Sequence, residues 1–212
     1  REPYRLSTAS APYTLGNQTS GPGVQTLDRG VVGNTSPHSY EFNDDGTRCW
    51  FNDHNAQSIY EYALSDPWNI YSMYYSGIAR DVSDYVGKNQ YSFKWKPDGT
   101  KIYFTRKPEN QGNQEDSIIQ YDVKVPWDIT TMTYETRYDF PNATWTYAPD
   151  PWDIAFDDTG TKMMVLQRGF DYVYRFDLST AWDVSTAVYN SNGVGVVETD
   201  PRGMEWKPDG TH

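Results

Sequence analysis

Four tight-turn motifs, spaced by 53, 61 and 50 residues, constrain this chain more than any other feature of its sequence. Each places an aromatic residue four positions before a turn glycine, and the glycines are Gly46, Gly99, Gly160 and Gly210. In the clearest copy, Trp95–Phe104, the order is strand, two-residue Asp-Gly turn, strand. A repeat of about 50 residues with several strands per copy is typical of β-propeller blades.

The rest of each unit also repeats. A third strand leads into a corner that carries a tryptophan, and a tyrosine follows seven residues later in the fourth strand; the corner tryptophans are Trp68, Trp127 and Trp182. We expect hairpins at Asp45-Gly46, Asp98-Gly99, Thr159-Gly160 and Asp209-Gly210. No stretch shows a sustained apolar period of 3.6 residues, so no helix is expected. The sequence predicts an all-β fold of four-stranded antiparallel, propeller-type blades, with a partial propeller in this chain.

The repeat register divides the chain into six parts. They are the second half of an incomplete blade (1–16), a loop (17–38), three blade units (39–90, 91–151 with an inserted loop, and 152–201) and the start of a further blade (202–212). The first part rests on Tyr4–Ala9, which matches Phe176–Ala181. Because exposed strand edges recruit other strands, we expect 4–9 and 202–212 to pair with each other or with another chain.

Composition restricts the class of partner. The chain of 212 residues has a net charge of −11 and is rich in Tyr, Trp and Phe. This aromatic content argues against disorder, and the charge argues against nucleic acid or an anionic membrane as a partner. No run approaches the length of a membrane span. The lone cysteine, Cys49, lies in a strand-like run and is expected to be a buried thiol.

The repeated residues also resemble a known family. Phe/Trp-x-x-Asp-Gly-Thr-Lys followed by Leu-Ser-Thr-Ala-Trp-Asp, best seen in 156–183, is similar to tandem propeller-like repeats of marine bacteriophage structural proteins and some bacterial secreted proteins. The match departs in the first unit, at Ala63 and Asn69. The resemblance implies a propeller fold and a virion or extracellular setting, and it implies no catalytic residue.

Most residues that could take part in catalysis, ligand binding or metal binding are better explained as structural residues. The corner tryptophans recur in every unit, so we expect them to be buried in equivalent places, with nearby Ser, Thr and Asp side chains bonding turn backbone. The acidic turns lack the spacing of a calcium loop, and the three histidines show no zinc spacing. We therefore predict no metal, no cofactor and no catalytic residue, although a glycosidase carboxylate pair stays open.

Function is expected where the units differ. Alternate connections of an antiparallel blade emerge on one face, so the loops 77–90, 107–116, 140–152 and 190–202 should cluster there. Binding residues usually lie on such loops. Aromatic rings suit sugar C–H faces, and carboxylates accept hydrogen bonds from sugar hydroxyls. The candidate ligand residues are Trp145, Tyr147, Trp152, Asp150 and Asp116, and ordinary loop packing is the alternative.

The sequence-based expectation is a virion-associated or extracellular structural or binding module that is not an enzyme. It would be a phage tail, fibre or surface-decoration component, which forms oligomers with other subunits and recognises a host-surface glycan. The acidic charge favours a neutral or cationic ligand. The alternatives are a secreted propeller enzyme acting on polysaccharide and a bacterial surface adhesin.

Overall fold

The computed structural model describes residues 36–87, 90–107, 116–140, 150–197 and 200–206. This part of the chain forms twelve β-strands in three four-stranded antiparallel sheets. The first blade contains β1 (Pro37–Phe42), β2 (Arg48–Asp53), β3 (Ser58–Leu64) and β4 (Met73–Asp81). The second contains β5 (Phe93–Trp95), β6 (Lys101–Arg106), β7 (Ser117–Val123) and β8 (Met132–Asp139). The third contains β9 (Pro151–Phe156), β10 (Lys162–Gln167), β11 (Tyr172–Leu178) and β12 (Ala187–Gly195).

Each blade is a meander in which consecutive strands pair, so the predicted four-stranded antiparallel units are confirmed. The described ranges contain no α-helix. They contain four three-residue 3-10 turns, at Ile70–Ser72, Ile129–Thr131, Arg168–Phe170 and Val184–Thr186. The strands β1, β5 and β9 are innermost, and 200–206 continues this series beside β9, because the Met204 N–H donates to Asp153 Oδ2 at 2.8 Å.

The hairpins lie where the sequence predicts them, but their turns are longer than two residues. In the second blade, Lys96 N–H donates to the Lys101 carbonyl and Gly99 N–H donates to the Lys96 carbonyl, which closes a four-residue loop. Only the glycine takes a positive φ, of 72°, and Asp98 does not. The Asp98 carboxylate instead accepts from the N–H and hydroxyl of Thr100, which replaces the expected Asp-Gly hairpin geometry. The fourth predicted hairpin, at 209–210, lies outside the described residues.

The three corner tryptophans occupy equivalent places, as predicted. Each has a positive φ of 63° to 66°, and its N–H donates to the carbonyl of the turn glycine in the same blade. A 3-10 turn follows, capped by Asn69, Asp128 or Asp183, whose side chain accepts from the backbone N–H two residues later. The predicted side-chain bonding of turn backbone is thus confirmed. We call these three turns, at 70–72, 129–131 and 184–186, the corner turns.

The expectation that all three corner tryptophans are largely buried is wrong for Trp68, which is 55% exposed. Trp127 and Trp182 are half-buried. The reason is that burial comes from the preceding blade: the Trp50 ring of β2 stacks on Trp127 with centroids 5.7 Å apart. No described blade precedes the one that carries Trp68.

Two apolar cores hold neighbouring blades together. One joins Trp50 and Ile59 of the first blade to Phe93 and Ile129 of the second. The other joins residues of the second and third blades, with Tyr103 fully buried. Each junction also carries a hydrogen bond to a corner tryptophan carbonyl, because Arg48 Nη1 donates to Trp127 at 3.1 Å and Tyr103 Oη donates to Trp182 at 2.9 Å.

A third, smaller core lies within the first blade and contains the lone cysteine. Cys49 is fully buried there, as predicted, among Tyr60, Tyr62, Leu64 and Met73. Burial raises the pKa of the Cys49 thiol to about 12, with the Glu41 carboxylate as a smaller cause. A thiol in such surroundings is a packing residue and a poor nucleophile.

Candidate functional site

The ends of the strands next to the unrepeated loops lie on one face of the blades. Register pairs Arg106 with Ser117 and Ser117 with Asp139, so 107, 116 and 140 all leave the second blade at the same edge. Equivalent pairs, Asp53 with Ser58 and Gln167 with Tyr172, mark this edge in the other blades. The predicted clustering of these loop ends is therefore confirmed for the described residues, and we call this side the loop face.

Ion pairs bridge neighbouring units across the loop face. Lys107, which follows β6, lies 3.0 Å from Asp150, which precedes β9. Arg168, which follows β10, lies 3.1 Å from Asp200, which precedes the next innermost segment. The two pairs occupy equivalent repeat positions, and His54 holds the matching position in the first blade. At both junctions, a basic residue that follows the second strand of one blade therefore pairs with an acidic residue that precedes the next unit.

The junction between the second and third blades has one additional group, Asp116. This residue precedes β7 and is 6% exposed. Its backbone carbonyl accepts from the Phe140 N–H. Burial raises the pKa of Asp116 to about 7; the charge of Lys107 opposes this shift, and that of Asp150 adds to it.

A column of stacked rings borders this junction. The Tyr91 ring lies on Trp152 with centroids 3.8 Å apart, and His38 lies 5.6 Å from Tyr91 and 4.9 Å from His54. His38, Tyr91 and Trp152 occupy equivalent repeat positions. His38 and Trp152 lie in the innermost strands β1 and β9, and Tyr91 lies just before β5. Burial, helped by the charge of His54, lowers the pKa of His38.

The column leaves Trp152 little free surface. The Arg168 guanidinium carbon lies 4.2 Å from the Trp152 ring centroid. Two groups as close as this guanidinium and the Tyr91 ring cannot share one face of an indole, so both faces are covered. Trp152 is accordingly 9% exposed. It packs in this arrangement, and its sugar-stacking role stays a prediction.

The remaining predicted site residues divide into two groups. Asp116 and Asp150 come together beside Lys107, so the structure unites two acids that are 34 positions apart in sequence. Trp145 and Tyr147 lie outside the described residues. The sequence reading missed Lys107 and Tyr91. Aligning repeat positions would have drawn attention to both, because Lys107 matches His54 and Arg168 while Tyr91 matches His38 and Trp152, but it would not have predicted which residues they contact.

A second polar cluster lies deeper, between the innermost strands. Lys94 Nζ bonds the carboxylate of Glu41 and lies 3.3 Å from that of Glu205. Ser92 Oγ donates to Asp153 Oδ1 at 2.5 Å. These side chains come from four successive units and hold the innermost segments together.

Within the described ranges, no three or more His, Cys, Asp or Glu side chains are grouped so that they could hold a metal ion. The same residues include no helix of the length and apolarity that crossing a bilayer requires.

Comparison with known proteins places the fold. No protein-family model matches the chain, and no curated protein is significantly similar. The solved structures of similar fold include two candidate 6-phosphogluconolactonases. The one from Bacteroides fragilis has a TM-score of 0.51 at 14% identity, covering 78% of this chain and 40% of that protein. The one from Bacteroides uniformis has a TM-score of 0.52 at 11% identity, covering 80% and 43%.

These likenesses and the three sheets together show a β-propeller fold built from four-stranded antiparallel blades. The chain spans less than half the length of either similar structure. At this level of identity the likeness concerns fold alone, since one propeller scaffold hosts many unrelated functions.

Proposed function

We propose that the chain is a binding module of a virion or extracellular assembly, which recognises a neutral host-surface glycan at the loop face. The site is the junction between the second and third blades, where Asp116, Asp150 and Lys107 meet beside Tyr91. The main support is that two buried acids from neighbouring blades, Asp116 and Asp150, come together there beside Lys107.

Placing two carboxyl groups in one buried site is costly, and such a cluster calls for an explanation. A sugar hydroxyl would suit the Asp116 carboxyl, because it can donate to a carboxylate or accept from a carboxylic acid. The ion pair of Lys107 with Asp150 is already formed and would offer further polar atoms in fixed positions. Asp116 and Asp150 also adjoin, in sequence, the unrepeated loops 107–116 and 140–152, and the second of these carries Trp145 and Tyr147 as candidate stacking residues.

The net charge of the chain restricts the chemical class of the proposed ligand. With a net charge of −11, the chain disfavours sulfated or phosphorylated glycans and nucleic acids, so a neutral or cationic ligand is proposed. Other subunits of a tail, fibre or surface decoration are the proposed protein partners, in an oligomer. A bacterial surface adhesin would use the same site in the same way.

A glycan array tests this function with the parent and the nearly isosteric Asp116→Asn. The matched control is Asp200→Asn, which removes the acid of the equivalent junction between the third and fourth units. We expect the parent and the control to bind the same glycans and Asp116→Asn to lose most of the signal. Trp145→Ala is expected to weaken binding too. A parent that binds no glycan, or an Asp116→Asn variant that binds like the parent, would refute the proposal.

A second candidate is a secreted enzyme, and one observation favours it. Asp116 has a pKa raised to about 7 by burial, next to a second carboxyl that is paired with Lys107. A carboxyl with a raised pKa beside a second carboxyl is an arrangement that general acid–base catalysis uses. Incubation of the protein with neutral polysaccharides tests this activity. Sugar lactones are tested as well, because the two similar solved structures are candidate 6-phosphogluconolactonases. Product release that Asp116→Asn abolishes would favour the enzyme over the binding module.

A further inference from the structure

The third blade carries an exposed tyrosine at a position where the other two blades carry a serine. Tyr172 begins β11 at the loop face, and its equivalents at the start of β3 and β7 are Ser58 and Ser117. The Tyr172 side chain is 40% exposed. Because the other two blades form the same strand with a serine at this position, the architecture of a blade does not explain the aromatic ring.

The cross-strand partner of this position changes together with it. In the first two blades the serine pairs with an aspartate, Asp81 or Asp139, whereas Tyr172 pairs with Gly195. Gly195 does not take a positive φ, so its backbone conformation gives no reason for a glycine. The tyrosine ring does give one, because a Cβ on Gly195 would lie 3.4 Å from Tyr172 Cζ and a longer side chain would displace the ring. A polar pair is thus replaced by a ring that covers a glycine.

Neighbouring residues hold the Tyr172 ring in place. It stacks on the ring of Tyr174, with centroids 5.7 Å apart and an angle of 17° between the ring planes. Tyr174 in turn lies against Gly193, where a Cβ would come within 2.9 Å of the Tyr174 ring. A tyrosine that is already held in position loses little conformational freedom when a ligand binds, which favours affinity.

The ring faces the junction between the second and third blades. Side chains alternate along a strand, so Tyr172 lies on the same side of β11 as Phe176, which is buried in the core of this junction. Asp116 belongs to the opposite wall. It is two positions before Ile118 of the same core, and its carbonyl accepts from the Phe140 N–H, which extends the pairing of β7 with β8. Tyr172 and Asp116 therefore face one junction from its two walls, both at the loop face.

We propose that a sugar ring of the bound glycan stacks on Tyr172 while Asp116 bonds the hydroxyls of that sugar. This role rests on the proposed function and narrows its ligand to glycans with a pyranose unit that has one face formed by C–H groups, because a tyrosine ring offers an apolar face. Trp152 is not suited to this role, since Tyr91 and Arg168 cover its two faces.

An array of neutral glycans tests this role with the parent, Tyr172→Phe, and a double variant that combines Tyr172→Ser with Gly195→Asp. The double variant restores the serine–aspartate pair of the other two blades, and Tyr172→Ser alone is used if it does not fold. We expect Tyr172→Phe to bind the same glycans as the parent, because the ring stays. The double variant should bind them at least about fivefold more weakly, as expected for an important contact residue.

Tyr74→Ser removes an exposed tyrosine of the first blade and is the matched control, which should bind like the parent. Thermal melts of each variant ensure that only folded protein is compared.

Three results would overturn the assignment of Tyr172. If the double variant binds like the parent while Asp116→Asn loses its signal, Tyr172 lies outside the site and the glycan site at Asp116 stands. If Tyr172→Phe loses as much binding as the double variant, the hydroxyl is the contact and the stacking role is wrong. If the parent binds no glycan, both the stacking role and the proposed function are refuted.

Discussion

The indole of Trp127 lies directly against the backbone of Gly99, so close that a Cβ added to the glycine would be 2.5 Å from the ring. The Trp127 N–H donates to the Gly99 carbonyl at 3.0 Å, and both residues have a positive φ. The same relationship joins Trp182 to Gly160. The hairpin turn and the corner of a blade therefore form one unit, although they are 28 residues apart in the second blade.

Gly99→Ala should destabilise the protein strongly. A side chain at this φ of 72° costs about 1–3 kcal/mol by itself, and the new methyl group must also displace the Trp127 ring. Urea denaturation measures the loss of unfolding free energy. The control is Gly169→Ala, where a Cβ meets nothing within 4 Å, and its effect should stay within about 0.5 kcal/mol. Equal midpoints for the two variants would contradict the proposed contact.

Trp127→Ala should lower the free energy of unfolding by an amount near or below the lower end of the range of about 3–5 kcal/mol for buried large aromatic side chains, because Trp127 is half-buried. The ring contacts Trp50 of the first blade and Trp95 of its own blade, so its loss opens a blade junction. Tyr74→Ala, at an exposed strand position, is the control and should cost less than about 1 kcal/mol. A Trp127→Ala variant that melts with the parent would show that this ring does not stabilise the blade junction.

Tyr103→Phe isolates one hydrogen bond between blades. The ring stays in the core, but the Trp182 carbonyl loses the donor at 2.9 Å, which should cost about 1–3 kcal/mol. Tyr74→Phe, which alters an exposed tyrosine, should leave stability unchanged. Equilibrium unfolding of both variants at one pH gives the comparison. No difference between them would mean that the bond contributes nothing to the junction.

Asp116 predicts a pH dependence of stability. Its pKa is raised from 3.8 to about 7 in the folded protein, so the folded state holds this proton more tightly than the unfolded state does. The contribution of Asp116 to the free energy of unfolding is complete below about pH 4 and is lost as the pH rises through about 7. The free energy of unfolding of Asp116→Asn should therefore decline less than that of the parent between these two pH values. Other carboxyls titrate in both proteins, so the difference between the two curves isolates Asp116, and parallel curves would contradict the prediction.

The sequence predicts those parts of the fold that repeat at fixed spacing. Gly99 and Trp127 recur in every unit, so their pattern identifies the blade and its corner without any knowledge of the neighbours. The exposure of Trp68 could not be read in this way. Its motif is the same as that of Trp127, and only the presence or absence of a covering blade separates the two.

The candidate site was predictable in part. Asp116 and Asp150 stand out because they are unrepeated acids on loops, and they do come together. Their partner Lys107 does not stand out, because its role depends on how far the second blade is rotated against the third. Stacking of Tyr91 on Trp152 depends on the same rotation, which no local pattern encodes.

The ammonium of Lys94 joins parts of the chain that are distant in sequence. It lies among the innermost strands and contacts carboxylates of the first and fourth units, Glu41 and Glu205. One side chain of the second unit thus acts as a crosslink between innermost segments of units that do not follow one another in the sequence.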